Sequence, residues 1–326
     1  MSSRMDMERG ATLLSVLVIV MLMSAAAIAA IDALTRSVLV SKSSSARAET
    51  FWTARGATDA AASYLTKALS VNEGVLNSEA DLFTQPVTLP AGHGIVVLQA
   101  REASNCFNLN ALVDDAGDDG VGDDSLTPYQ NLLIALGMND GEAESLAQKL
   151  ADWIDPDFST RTYGAEDGYY ASQSEPYRAA NSRLRSVSEL KTIAGYDDDV
   201  RARIDGLVCL RPGTGQAELN INTLTEEQAP LLVALFSQEL SADDARSLIA
   251  SRPAGGWLDV ETFLKEDAVN RIAPDARHEA AVSVASTFLS ADVNVGIGDL
   301  VTNYQALFQR TEGGNVSFVS MARRDF

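Results

Sequence analysis

Residues 11–31 form an apolar run of 21 residues, polar only at Thr12, Ser15 and Ser24. As a helix, a run of that length is about 31 Å long, the thickness of one bilayer hydrocarbon core. Charge and glycine abut it directly in the sequence MERG, and the first charge after it is Asp32. No proline occurs before Pro86, and Leu34, Val38, Ala46, Ala54, Ala57, Ala61 and Leu65 recur at three- to four-residue spacing. That period predicts one helix from near residue 11 to about residue 69, its first third in a membrane and the rest packed on a domain. Three readings of the start stand open on the residues alone. The run is an uncut anchor, or a secretory signal cut near AAAIAAIDA, or an anchor retained after a cut between Gly10 and Ala11. Helical periodicity continuing past the small-residue stretch speaks against the secretory signal.

The 326 residues suffice for two or more cored domains. Lys and Arg number 25 against 45 Asp and Glu, a formal net charge of −20. That field repels a phosphate backbone, so nucleic acid is excluded as a partner. The two histidines, His93 and His278, are too few for a histidine metal or proton-relay site. No nucleophile elbow, HExxH, phosphate loop or dinucleotide fingerprint is present, so the chain does not read as an enzyme. Cys106 and Cys209 are the only cysteines. In an oxidising compartment they can pair, closing a loop whose entropy is worth roughly 4–5 kcal/mol. Two buried free thiols are the other reading.

Past the helix, PVTLP, the turn AGHG and IVVLQARE read as a hairpin, and CFNLNAL alternates apolar and polar residues. Residues 114–124 carry six aspartates and read as a loop. From Pro128 to about residue 204 the pattern is helical, with Thr127 as the expected N-cap of the first helix and Pro128 in its first turn. GEAESLAQKLADWI is an amphipathic helix ending before Pro156, and Ser186 with Glu189 makes a capping box ahead of a stop at Gly195. FNLNALV at 107–113 is echoed by LNINTLT at 219–225, each leading into a small helical unit. The second unit resembles a helix-hairpin-helix, but its hairpin, SQELSADD, is acidic and lacks glycine. Three alternating segments close the chain. A helical block interrupting one sheet predicts an α+β fold with an inserted domain.

DWIDPD supplies Asp152, Asp155 and Asp157, and GAEDGYY supplies Glu166 and Asp167. Oxygen-only side chains gathered in a short stretch suit Ca²⁺, and the absence of nearby His or Cys argues against zinc or copper. A solvated acidic loop is the alternative.

RGATLLSVLVIVMLMS, FWTARGA, FNLNALV, LADWIDPD, GAEDGYY, PYRAANSRLRSVSEL, LNINTLT and LIASRPAGGWLDVETFL occur in this order. Over essentially its full length the chain resembles type II secretion system protein K, a family of minor pseudopilins. The resemblance implies a pilin-like α+β fold, a long N-terminal helix on an antiparallel sheet with a large helical domain of SAM-like, helix-hairpin-helix-like units inserted. It divides the chain into a prepilin leader at 1–10, a transmembrane part at 11–31, and a pilin-like helix with the first strands at 32–110. A first SAM-like unit follows at 111–205, linking strands at 206–222, a second unit at 223–275 and the last strands at 276–326. It implies cutting between Gly10 and Ala11 by prepilin peptidase, methylation of the new terminus, one inner-membrane pass and a periplasmic body. Structural calcium held by some of the five named acids is also implied. The implied place is the tip of a short pseudopilus, with minor pseudopilins I and J, then H and the major pseudopilin, as partners, and secreted substrates and the outer-membrane secretin within reach. Most pilins and pseudopilins carry a glutamate at the fifth mature position, which here is Ser15. Without that carboxylate no pair forms with a neighbour's amino terminus inside the membrane, which points to an end position; a serine simply tolerated in an anchor is the other reading. A membrane-anchored, calcium-dependent periplasmic binding module and a secreted hydrolase are the competing readings.

Overall fold

The structure is a computed structural model describing residues 2–71, 74–91, 94–112, 123–213, 215–273, 281–298, 300–311 and 313–324, without the side chains of residues 2–12 and 123–125. Helix α1, Ser2–Ser70, is continuous and begins well before residue 11. Its segment from residue 13 is long and apolar enough to cross a membrane and is exposed on all sides. From Thr50 onward one stripe turns inward: Thr50, Ala54, Ala57, Thr58, Ala61, Leu65 and Leu69 are buried. The small residues of that stripe let the helix axis approach the sheet closely, and leucines fill the space at its far end. Thr50 and Tyr304 hydroxyls meet at 3.2 Å, and the Val316 N–H donates to Thr66 Oγ1 at 2.9 Å, pinning the second half of the helix to the sheet.

The next elements follow in chain order: α2 (Asp81–Thr84), β1 (Val87–Ala91), β2 (Gly94–Glu102) and the short β3 (Phe107–Asn108). After them come α3 (Asp123–Ala135), α4 (Asp140–Ile154), α5 (Asp167–Ala171), α6 (Asp198–Ile204) and β4 (Val208–Cys209). The second helical group runs from β5 (Leu219–Asn220) through α7 (Ala229–Leu235), α8 (Ala242–Ala250), α9 (Val260–Leu264) and α10 (Asp267–Asn270) to β6 (Val282–Ser283). Strands β7 (Phe288–Ile297), β8 (Leu300–Arg310) and β9 (Val316–Arg323) end the described chain.

Five strands make one antiparallel sheet in the order β1-β2-β7-β8-β9. Val96, Leu98 and Ala100 of β2, Leu289, Ala291, Val293 and Val295 of β7, and Tyr304, Ala306 and Phe308 of β8 alternate onto the α1 face and form its core with the helix. Strands β2 and β7 are neighbours although residues 103–287 lie between them. That long excursion is the helical block, which has an apolar core of its own running through both groups. It stands at the end of α1 remote from the apolar run. There Val75 bridges to Ala285, the Leu76 N–H donates to Val284 O at 3.0 Å, and the Ser78 N–H donates to Asn222 O at 3.3 Å. The α+β, pilin-like architecture is as expected from the sequence.

Each helical group is closed by a short parallel pair, Phe107↔Val208 and Leu219↔Val282 at their first rungs. The FNLNALV and LNINTLT echo is structural. Asn108 Oδ1 accepts from the Asn110 N–H at 3.3 Å, and Asn220 Oδ1 accepts from the Asn222 N–H at 3.0 Å. The second asparagine of each pair then bonds one distant backbone through both amide atoms, Asn110 to Leu184 and Asn222 to Trp257. A side-chain amide has the donor and acceptor of a peptide unit, so it stands in for a missing strand in both groups.

Three local expectations are corrected. Helix α3 begins at Asp123, so Thr127 is not its N-cap and Pro128 lies inside the helix. Aspartates favour a helix N-terminus through the macrodipole, which draws the end of the acidic run into the helix. Residues 114–122 of that run lie outside the described residues, as do His93 and His278. The capping box of Ser186 and Glu189 forms, but it opens a 3₁₀ helix, Val187–Thr192, that ends before Gly195. CFNLNAL is a strand for two residues only and then a 3₁₀ turn, Leu109–Leu112.

Candidate metal centre and assembly helix

Helix α4 presents the acidic centre. Asn139 caps its start by accepting from the Glu142 N–H at 3.0 Å, and Pro156 stops it just after Asp155. The inward face carries Leu146, Leu150 and Trp153 into the core, and the same rotation buries Asp152, fully, and Asp155. Glu166 is buried at the N-cap of α5, where its Oε2 accepts from the Asp167 N–H at 3.2 Å. Gly164 permits the chain to pass over Asp152: an added Cβ would lie 1.9 Å from Asp152 Oδ2, which no other residue could tolerate without displacement.

Of the five acids named from sequence, the structure gathers three. One oxygen from each of Asp155, Asp157 and Glu166 lies within 4.8 Å of the others. Asp152 is instead engaged by Arg161, whose Nη1 stands 2.6 Å from Asp152 Oδ1 and 2.5 Å from Asp155 Oδ2. Asp167 turns outward, accepting from the Ala179 N–H at 3.0 Å, with Arg178 at 3.7 Å. Neither belongs to the gathered group. Asn181, which no acidic pattern flags, belongs beside it: its Nδ2 donates to Asp157 O, and its backbone is left-handed at φ 42°. Asn181 lies 24 residues from the backbone carbonyl it supports, and no spacing in the sequence joins the two.

Asp155 Oδ1, Glu166 Oε1 and Asn181 Oδ1 are all buried without a hydrogen-bond donor. Orphaned buried acceptors are costly, and the Arg161 guanidinium bridges Asp152 and Asp155. Burial raises the carboxyls of Asp152 and Asp155 above the usual range even with Arg161 between them. Burial, reinforced by the charges of Asp152, Asp155 and Asp157, pushes Glu166 up to about 7. A proton or a cation placed among these oxygens would relieve the orphaned acceptors. An all-oxygen donor set of carboxylates and an amide carbonyl fits a hard divalent cation such as Ca²⁺.

The sign of the pH effect follows. Glu166 holds a proton more readily in the metal-free fold than unfolded, so its contribution to stability is present near and below pH 4.5 and is lost as pH rises through about 7. A cation must displace that proton. The apparent affinity of a divalent cation bound here, followed by calorimetric titration, should therefore be constant above about pH 8 and fall by up to tenfold per unit below 7.

Cys106 and Cys209 are disulfide-bonded, with Cα atoms 5.8 Å apart, and tie the start of β3 to β4 at the base of the first helical group. Arg211 lies against the bridge, its Nη2 3.5 Å from Cys106 Sγ, and burial lowers its guanidinium to about 10. At the other end of the molecule the Gly10–Ala11 peptide lies within the continuous α1, and the side chains of both residues are outside those described. Ser15 is exposed on the same helix.

A family model described as type II secretion system (T2SS), protein K, matches residues 219–285, and a companion model of its first part matches residues 105–213. Type II secretion system protein K of Pectobacterium carotovorum is 32% identical over 302 residues, 90% of this chain and 89% of that protein. The chain belongs to the type II secretion system protein K family. Its Klebsiella pneumoniae relative is 31% identical over 93% of both chains. The protein K fold is shared with a solved chain of the GspK-GspI-GspJ complex from enterotoxigenic Escherichia coli, at TM-score 0.71 and 28% identity, covering 88% of this chain and 99% of that one. The chain is thus a minor pseudopilin of the protein K family, and its one N-terminal apolar helix fits a single-pass inner-membrane anchor.

Proposed function

We propose that this protein K family member caps the tip of the periplasmic pseudopilus and supports protein secretion across the outer membrane. The observation that carries this is the position of the helical block, at the end of α1 opposite the apolar run. At 1.5 Å per residue, the part of the helix retained after a cut at Gly10 is roughly 90 Å long and carries the block at its far end. Subunits that stack through parallel N-terminal helices leave the block facing forward, where its width obstructs the next subunit. Ser15 agrees with this, because it supplies no carboxylate for a neighbour's terminus.

On this reading prepilin peptidase cuts after Gly10, Ala11 becomes the methylated first residue, and 11–31 anchors the chain in the inner membrane with the body in the periplasm. Minor pseudopilins I and J pack beside α1, as the GspK-GspI-GspJ likeness suggests, with H and the major pseudopilin below. Secreted substrates and the secretin meet the helical block. Ca²⁺ is held by Asp155, Asp157 and Glu166 with Asn181 beside them, and it neutralises the carboxylates and orders the segment joining α4 to α5. A calcium-dependent binding module is the second reading, favoured by the orphaned oxygens of that centre.

Processing tests the proposal. Mass spectrometry of the chain from secreting cells should find a methylated Ala11 terminus, and Met1 or Ser2 in cells without prepilin peptidase. Gly10→Val should leave precursor and reduce secretion at least tenfold. Unimpaired processing and secretion in that variant would sink the assignment.

A further inference from the structure

The acidic centre already contains one cation. Arg161 lies in the segment between α4 and α5, and its side chain is mostly buried. Its guanidinium bridges Asp152 Oδ1 and Asp155 Oδ2 at 2.6 and 2.5 Å, and its backbone N–H donates to Asp152 Oδ2 at 3.2 Å. Both oxygens of Asp152 are thereby committed. Asp155 is divided: Oδ2 serves the guanidinium, while Oδ1 has no donor. An inner pair, Asp152 and Asp155, is thus compensated, and in the outer group of Asp155, Asp157 and Glu166 the oxygens Asp155 Oδ1 and Glu166 Oε1 have no donor.

We infer that Arg161 is a resident counter-cation of this centre, which withholds Asp152 from the metal, keeps the α4–α5 segment folded when no metal is bound, and weakens calcium binding by its own charge. The inference rests on the calcium reading of the centre. Two bare buried carboxylates against each other would open the segment, so one of them needs a permanent partner. A fixed unit charge several ångströms from a divalent ion, at the dielectric of a partly buried site, costs at least about tenfold in affinity. Sites tuned this way belong to the weak calcium range of extracellular modules, about 10⁻⁴–10⁻³ M.

The test uses the full chain in detergent, with calcium alone as the probe. Melting temperature is read in chelator and in 10 mM calcium, and the dissociation constant by calorimetry, for wild type, Arg161→Gln, Arg161→Lys and Asp152→Asn. Arg161→Gln should melt lower in chelator but recover most of the loss in calcium, with binding about tenfold tighter or more. Arg161→Lys, which keeps the charge, should bind within about threefold of wild type. Asp152→Asn should still bind calcium saturably, and this decides the matter if Arg161→Gln does not fold. An equal loss of melting temperature with and without calcium, at unchanged affinity, would reduce Arg161 to packing and overturn the inference. Loss of binding in Asp152→Asn would make Asp152 a ligand and overturn it too. A wild type unresponsive to calcium sinks the calcium reading itself. In that case a response gained by Arg161→Gln upholds the inference, and none gained overturns it.

Discussion

Cys106→Ser lowers the stability of the helical block by about 4–5 kcal/mol, the largest effect expected from any single substitution here. The bridge joins residues 103 apart in sequence, and the loop it closes contains α3, α4, α5 and α6. Without it the denatured chain regains the freedom of that whole loop. With a urea slope of 1–3 kcal/mol per molar, the midpoint should fall by roughly 2 M. Trp153 and Trp257 are buried in the two helical groups and report the transition, whereas Trp52 is exposed on α1. Reducing agent should move the wild-type midpoint to that of the variant and leave the variant where it is. A shift under about 1 kcal/mol would mean the loop is held by the β3–β4 pairing and the surrounding core alone.

Calcium should raise the melting temperature of the wild type by several degrees, and Asp155→Ala should abolish the rise. For affinities of about 10⁻⁴–10⁻³ M, 10 mM calcium stabilises by roughly 1.4–2.7 kcal/mol, or about 3–10 °C for a chain of this size. Asp155→Ala removes an open ligand and half of the Arg161 clamp, so it should also melt lower in chelator. Glu166→Gln separates the two contributions. It removes a buried charge that only a proton or a cation relieves, so in chelator at pH 8 it should melt at or above wild type, with little response to calcium. A full calcium response in both variants would place the ion elsewhere.

The long helix and the sheet were legible in the sequence because both are periodic over many residues. The alanine and leucine spacing of 54–69 is helical, and the alternation of 288–297 and 300–310 is that of strands buried on one face. What stayed hidden depends on partners remote in sequence. Strands β3 and β5 are two residues long and gain their meaning only from Val208, 101 residues from Phe107, and Val282, 63 residues from Leu219. At the centre, composition identifies the acids but not their division. Asp152 and Asp155 stand in one short motif, yet the guanidinium that takes the first and shares the second comes from Arg161, and Asn181 arrives from beyond α5. A rule based on carboxylate spacing has no way to rank Asp157 above Asp167, because the choice is made by where α5 begins.

Occupancy of the pseudopilus tip is the central claim, and labelling tests it most directly. Pseudopili assembled with a tag inserted among residues 113–122, detected by immunogold electron microscopy, should carry label at one end of each fibre and nowhere along its length. Label distributed along the fibres would show that the helical block does not prevent stacking, and would contradict the account.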